Sequence, residues 1–281
     1  MKQILPAFLA LLLVLCVLGA CGENSLPSSK NAPGQGSLSN VAETPEPTEP
    51  AGEESSAGQE VSDQSADGVW EEMILIEVRE TGLTAVAEEY GSLLTFGTPE
   101  SIAFEPGLED ELKPGMTVSV HYDGAVLETY PGQIHADALQ VTGWDDGLIA
   151  LYLDVLEDLY GEDDDGLNDN CRYFGFDLSG PEELSQKELE AIGWVFASAH
   201  QCEPLYGTIR ELGDQGYINM EELYWKDGVH FELKTADVTE TSFTLDVTKW
   251  RSGLGAIGYR LNVEKRDGLW TAGEAGMGWE S

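Results

Sequence analysis

Pro114-Gly115-Met116-Thr117-Val118-Ser119-Val120-His121-Tyr122-Asp123-Gly124 decides how the chain is read. Met116, Val118, Val120 and Tyr122 alternate with Thr117, Ser119 and His121, which is the period of a half-buried strand. The Asp-Gly pair that follows is a hairpin signal. Working outward, residues 73–78 open another strand, and Gly82 marks a turn before 83–87. Residues 92–96 and 102–104 read as further strands, and 133–141 completes the set. Five or six short strands in about 74 residues predict a small all-β barrel over 70–143, OB-like in size and strand count.

Beyond it the periodicity changes. Leu148, Leu151, Tyr152, Val155, Leu156 and Leu159 form an apolar stripe at helical spacing within 144–160, with acids on the other face. Ser185-Gln186-Lys187-Glu188 fits a capping box that opens a helix to about His200. Thr208-Ile209-Arg210-Glu211 repeats the signature for a shorter helix ending near Gly213 or Gly216. Strands are then predicted over 229–235, 242–250, 256–265 and 269–275, with Asp227-Gly228 and Asp267-Gly268 as turns. Helices followed by an antiparallel meander make residues 144–281 a second, α+β domain. The same layout also suits an NTF2-like cone, a fold that hosts binders and enzymes alike.

The N-terminus carries an address. After Lys2, residues 4–18 are almost unbroken apolar sequence, too short for a membrane span of about 20 residues, so 1–20 reads as a signal peptide. Leu18-Gly19-Ala20-Cys21 resembles the lipobox of bacterial lipoproteins. That resemblance implies a diacylglyceryl group on Cys21, with acyl chains such as palmitate, and cleavage just before it. A two-chain lipid anchors stably. Residues 21–69 then contain nine acids, one base and no aromatic, and are rich in Ser, Pro, Gly and Ala. Such a segment buries too little surface to offset its ordering entropy. It reads as a disordered acidic tether with a typical span of about 35–40 Å.

Leu112-Lys113-Pro114-Gly115-Met116-Thr117-Val118-Ser119-Val120, then Tyr122-Asp123-Gly124, then Glu128-Thr129-Tyr130-Pro131-Gly132-Gln133-Ile134 resembles a family of small exported bacterial domains of unknown function. Gly132 stands where that family usually has a small residue such as Ala. The resemblance covers about a quarter of the chain and implies a barrel and export, but no activity. The closing segment, with Lys249-Trp250-Arg251-Ser252-Gly253-Leu254-Gly255, is similar to uncharacterised clostridial-type lipoproteins, which likewise implies no activity.

Charge narrows the partners. The 281 residues hold 52 Asp and Glu against 14 Lys and Arg, a formal net charge of −38. Without the tether and Lys2, 43 acids still face 12 bases. No nucleic-acid partner is expected, because phosphate binding needs clustered cations. With 42% hydrophobic residues and seven Trp, the chain should nonetheless bury a real core.

Candidate sites are few. Gly253 to Gly258 matches G-x-G-x-x-G, but a strand follows where a dinucleotide site needs a helix, so the glycines are read as easing a strand turn. Residues 162–170 offer oxygen ligands for calcium from Asp163, Asp165 and Asp169, although an EF-hand alignment puts Gly161 and Arg172 at the first and twelfth positions and fails. A solvated acidic loop is the alternative. The four His lack zinc-site spacing, and only His200, Cys202 and Cys171 offer a three-ligand set. Cys171 and Cys202 are the thiols left once Cys16 leaves with the signal and Cys21 is lipidated. An oxidising compartment favours a disulfide between them, worth about 3–4 kcal/mol by loop closure. Five of the 12 bases (Lys249, Arg251, Arg260, Lys265, Arg266) fall close together. On adjacent strands these side chains could share a face beside Trp250 and the Gly-rich turn, where Lys249, Trp250 and Arg251 would hold an anion, or these bases could pair with the protein's own acids, for example Glu232 or Asp246. No catalytic residue can be picked.

The sequence therefore predicts a lipid-anchored protein on the outer face of the cell membrane, without a resident cofactor unless the acidic loop takes calcium. It is expected to act as a non-catalytic binding or interaction module toward an envelope protein, wall polymer or small ligand. The competing expectation is an envelope hydrolase using carboxylates on wall glycan or peptide.

Overall fold

A computed structural model describes residues 68–89, 91–97, 102–103, 112–144, 146–162, 166–273, 276 and 278–280. The signal peptide, Cys21 and nearly all of the tether lie outside the described residues. Strands β1 (Val69–Arg79), β2 (Gly82–Ala87), β3 (Leu93–Phe96), β4 (Thr117–Tyr122), β5 (Gly132–Gln133) and β6 (Ala136–Gly143) form one sheet in the order β5-β3-β2-β1-β4-β6. The alternation that opens the sequence reading holds, with Val118, Val120 and Tyr122 buried and their neighbours half-buried. Only β3 and β5 pair in parallel; the other strand pairs of this sheet are antiparallel.

The sheet is curled into a half-barrel, and its connectivity requires this. β5 and β6 stand at opposite ends of the strand order, yet only Ile134 and His135 separate them. That link spans at most about 11 Å, so the two edges must approach each other. Met73, Leu75, Leu83, Ala85, Val118 and Val120 fill the concave side. The strand expected over 102–104 shrinks to a single bridge from Ala103 to Ala138 among the described residues.

The second sheet contains β7 (Tyr173–Asp177), β8 (Glu203–Tyr206), β9 (Gly228–Ala236), β10 (Ser242–Ser252), β11 (Gly255–Arg266), β12 (Leu269–Ala272) and β13 (Trp279–Glu280). Its order is β12-β11-β10-β9-β7-β8, with β13 on β11. The last four long predicted strands are there as an antiparallel meander, but β7 and β8 extend the sheet in parallel. Helices α1 (Leu148–Gly161), α2 (Gln186–Ala199) and α3 (Ile209–Asp214) complete the described elements. Both capping boxes form reciprocally, Ser185 with Glu188 and Thr208 with Glu211. α1 starts four residues later than the sequence suggests, because Gly147 takes the left-handed conformation (φ 81°) just before it.

The chain is thus mostly β, two sheets with a few helices; Met73, Leu75, Val118 and Leu139 belong to a core cluster of the first sheet alone, and a larger cluster spans both sheets. Ile76, Val86 and Leu93 of the first sheet join one hydrophobic cluster with α1, α2 and Phe174, Phe231 and Leu245 of the second. Residues 61–281 form one compact unit. This shared cluster explains why β2 is buried on both faces, unlike a strand with one wet side.

Candidate functional site

α1 turns Leu148, Leu151, Tyr152, Val155, Leu156 and Leu159 into the core. At the border of that stripe, four residues apart, stand Asp154, Asp158 and Glu162, all exposed. Opposite them run β11, β12 and the C-terminal segment. Between the two lies an open cleft of about 1520 Å³. Trp144, Tyr259, Trp270 and Trp279 wall it, and the three carboxylates line its helical side.

The aromatic walls are fixed by particular contacts. Trp270 Nε1 donates to Asp146 Oδ2 at 3.0 Å, and its backbone N–H donates to the Asp146 carbonyl at 2.7 Å. The same carboxylate takes Lys265 Nζ at 3.0 Å, and that ammonium lies 5.2 Å from the Trp270 ring centroid. The Tyr259 hydroxyl donates to the Val155 carbonyl at 3.5 Å. Burial, followed by the negative charges of Asp158 and Glu162, pushes its pKa up to about 12. Trp279 lies on Gly258, where a Cβ would sit 2.7 Å from the indole, so only glycine lets the ring approach the strand. Trp144 is 69% exposed and Trp279 50%. The cleft is an amphipathic channel with rigid rings on one side and a row of anions on the other.

A second groove of about 1370 Å³ runs from Trp70 past the loop between β4 and β5 to Lys187 and Glu190 on α2. Tyr130 stands there, edge-on to Trp194. Its hydroxyl pKa is raised by partial burial and by Glu190.

The residues singled out from sequence are placed elsewhere. Lys249 is fully buried and Arg251 is 8% exposed. Lys249 Nζ donates to the Tyr160 carbonyl at 3.2 Å, to Asn168 Oδ1 at 3.3 Å and to the Glu162 carbonyl. Arg251 donates to the carbonyls of Trp225 (3.2 Å), Gly166 (3.4 Å), Leu167 (2.8 Å) and Lys226 (2.7 Å). Both cations therefore fasten residues 160, 162, 166–168 and 225–226 to β10, chiefly through main-chain oxygens. Trp250 lies on the other face of the strand, half-buried, against the cluster of Leu212, Ile218 and Trp225. Lys249 and Arg251 share the inner face of β10, where they are bound to the protein's own carbonyls rather than open to an anion. The other bases pair outward with acids: Arg260 with Asp246 at 2.6 Å, Arg266 with Glu264 at 2.8 Å and Lys265 with Asp146.

Asp163 and Asp165 lie outside the described residues, and Asp169 is exposed at the end of the turn. Among the described residues no three His, Cys, Asp or Glu side chains gather closely enough to hold a metal, the set of His200, Cys202 and Cys171 included. His200 Nε2 is instead 3.1 Å from the Glu157 carboxylate. Cys171 and Cys202 stand just before β7 and β8 as half-buried cysteines with no disulfide between them. Cys202 Sγ donates to the Cys171 carbonyl at 3.5 Å. The G-x-G-x-x-G run forms the β10–β11 turn and the start of β11.

The cleft aromatics escaped the sequence reading because they are scattered over residues 144–279. One signal was present: Phe243, Leu245 and Val247 point inward on β10, and the same parity places Lys249 and Arg251 inward too. No protein-family model, curated protein or solved structure matches the chain.

Proposed function

We propose that the chain is an envelope protein held to the outer face of the membrane by a lipid on Cys21, and that it acts as a non-catalytic binding module whose ligand enters the cleft between α1 and the β11–β12 edge. The observation that carries this reading is a single open cleft with four aromatic rings, three of them fixed by Asp146, Val155 and Gly258. Rigid, half-exposed aromatic anchors offer contact area at low entropic cost, which is what a binding surface needs.

The curled sheet is, on this reading, an OB-like barrel. With β5 and β6 counted as one bent strand, the order runs 1-2-3-5-4-1 with only the third and fifth strands parallel, in keeping with a five-stranded, partly open barrel.

The test uses the full chain in detergent. Soluble cell-wall fragments are titrated while Trp fluorescence is followed, and the same mixtures are examined by mass spectrometry. A saturable fluorescence change with intact fragments supports a binder. Cleavage that disappears in Asp158→Asn would make the protein a hydrolase and end this reading. Cys21→Ser should move the chain from the membrane fraction to the medium.

A further inference from the structure

The three carboxylates of the cleft have a geometry of their own. Asp154, Asp158 and Glu162 are each one helical step of four residues apart, so the row advances by about 6 Å per carboxylate and about 12 Å in all. Alternate side chains of an extended peptide are about 6.6–6.8 Å apart and project to one side. The two repeats match over three positions. None of the three carboxylates takes part in an ion pair among the described residues, whereas Asp146, just before α1, and Asp246 and Glu264, on the second sheet, are each paired with a base.

The opposite wall suits the same ligand. Tyr259, Trp270 and Trp279 present aromatic edges and faces to the channel, where they can cover the methylene stems of long basic side chains and attract their charged ends. The volume of about 1520 Å³ exceeds the usual range of small-molecule pockets, roughly 300–1,000 Å³, and the cleft is open along its length. A chain of 43 acids and 12 bases beyond the tether also draws cationic partners from a distance.

We infer that the cleft takes an extended basic peptide segment, with Lys or Arg at alternate positions set against Asp154, Asp158 and Glu162 and the intervening chain laid along Tyr259, Trp270 and Trp279. This rests on the cleft being the binding site proposed above. The cation-bearing residues of the ligand pair with the helix, and its backbone runs parallel to α1. Lys113 also lines the cleft, one base beside the three carboxylates.

The full chain in detergent is titrated with an acetylated, amidated Lys-Thr-Lys-Thr-Lys peptide, its Gln-Thr-Gln-Thr-Gln counterpart and a neutral N-acetylglucosamine oligomer, with Trp fluorescence as the readout. The Lys peptide should bind and the Gln peptide should not, and binding should weaken as salt is raised. Asp154→Asn, Asp158→Asn and Glu162→Gln should each weaken it about two- to fivefold, and the triple variant roughly tenfold to a hundredfold, with an unchanged melting temperature because all three are exposed. Equal binding of both peptides, or binding indifferent to the triple variant, overturns the inference. Binding of the sugar alone, lost in Trp279→Ala, overturns the peptide while leaving the cleft as the site. No fluorescence response to any probe, together with failure of the wall-fragment titration, removes both.

Discussion

Trp270 and Asp146 hold each other twice, side chain to side chain at 3.0 Å and backbone to backbone at 2.7 Å. Asp146 lies just before α1 and Trp270 lies on β12, so this pair sets the width of the cleft. Asp146 Oδ1 also accepts from the Leu148 backbone N–H at 3.3 Å and so closes the start of the helix.

Asp146→Ala should therefore cost about 1–2 kcal/mol in urea unfolding, the combined loss of a helix-start acceptor and a charge-assisted bond. It should also shift Trp emission to the red as the Trp270 indole gains freedom. An unchanged spectrum and unfolding midpoint would show that the clasp does not form in solution.

Arg251→Ala removes donors from four carbonyls at once, two of them near residues 166–167 and two at 225–226. Leaving buried acceptors unmatched and deleting a packed guanidinium should cost about 3–5 kcal/mol. Lys249→Ala should cost about 2–4 kcal/mol for the same reason. Neither should alter binding of inorganic phosphate or of wall fragments per folded molecule, measured by calorimetry on the surviving native fraction. Lost anion binding with an unaltered unfolding midpoint would restore the anion site that the basic run in the sequence suggests.

His230 supplies a pH dependence. Its ring is buried, Nε2 donates to the Gly207 carbonyl at 2.9 Å, and burial holds its pKa below the ordinary value of 6.5. A histidine depressed in the folded state is charged first in the unfolded chain, which then binds more protons. Its contribution is fully present above about pH 6.5 and declines as the pH falls from there toward the depressed folded value. His230→Gln, which keeps an N–H donor, should flatten the stability curve between about pH 6.5 and pH 5. Parallel curves for the two proteins would exclude this role.

Cys202 Sγ lies 3.5 Å from the Cys171 carbonyl, and we propose that the protein carries a bridge between these two cysteines. Thiol titration in denaturant should find no free thiol here without reductant and two with it. Two in both cases ends the proposal. In the reduced protein, burial and the neighbouring thiol push the Cys202 pKa up to about 11, so alkylation at neutral pH should be slow and should quicken as the pH rises toward that value.

Much of the fold is legible where one rule acts alone. Ser185 with Glu188, and Thr208 with Glu211, each close a helix start through local hydrogen bonds, so four letters suffice. The alternation from Ser242 onward survives because β10 pairs on both sides and has one face on the core. β7 shows no alternation, because Phe174, Gly175, Phe176 and Asp177 are buried on both faces. β8 is four residues long and exists only because β7 accepts it in parallel. The cleft is illegible for a further reason: Trp144 and Trp279 are brought together by the packing of α1 and the meander, a long-range fact with no local trace. The basic run was visible as letters, but its meaning depended on strand parity, which separates Lys249 and Arg251 from Arg260.

β8 closes the second sheet with Glu203 and Pro204 in a strand of four residues. A proline there withholds one N–H from the row that a neighbouring chain would need, and a carboxylate beside it repels another copy of the same acidic surface. The free border of this sheet is consequently a poor template for growth, and concentrated solutions of the protein should resist thioflavin-positive fibre formation that begins from the native state.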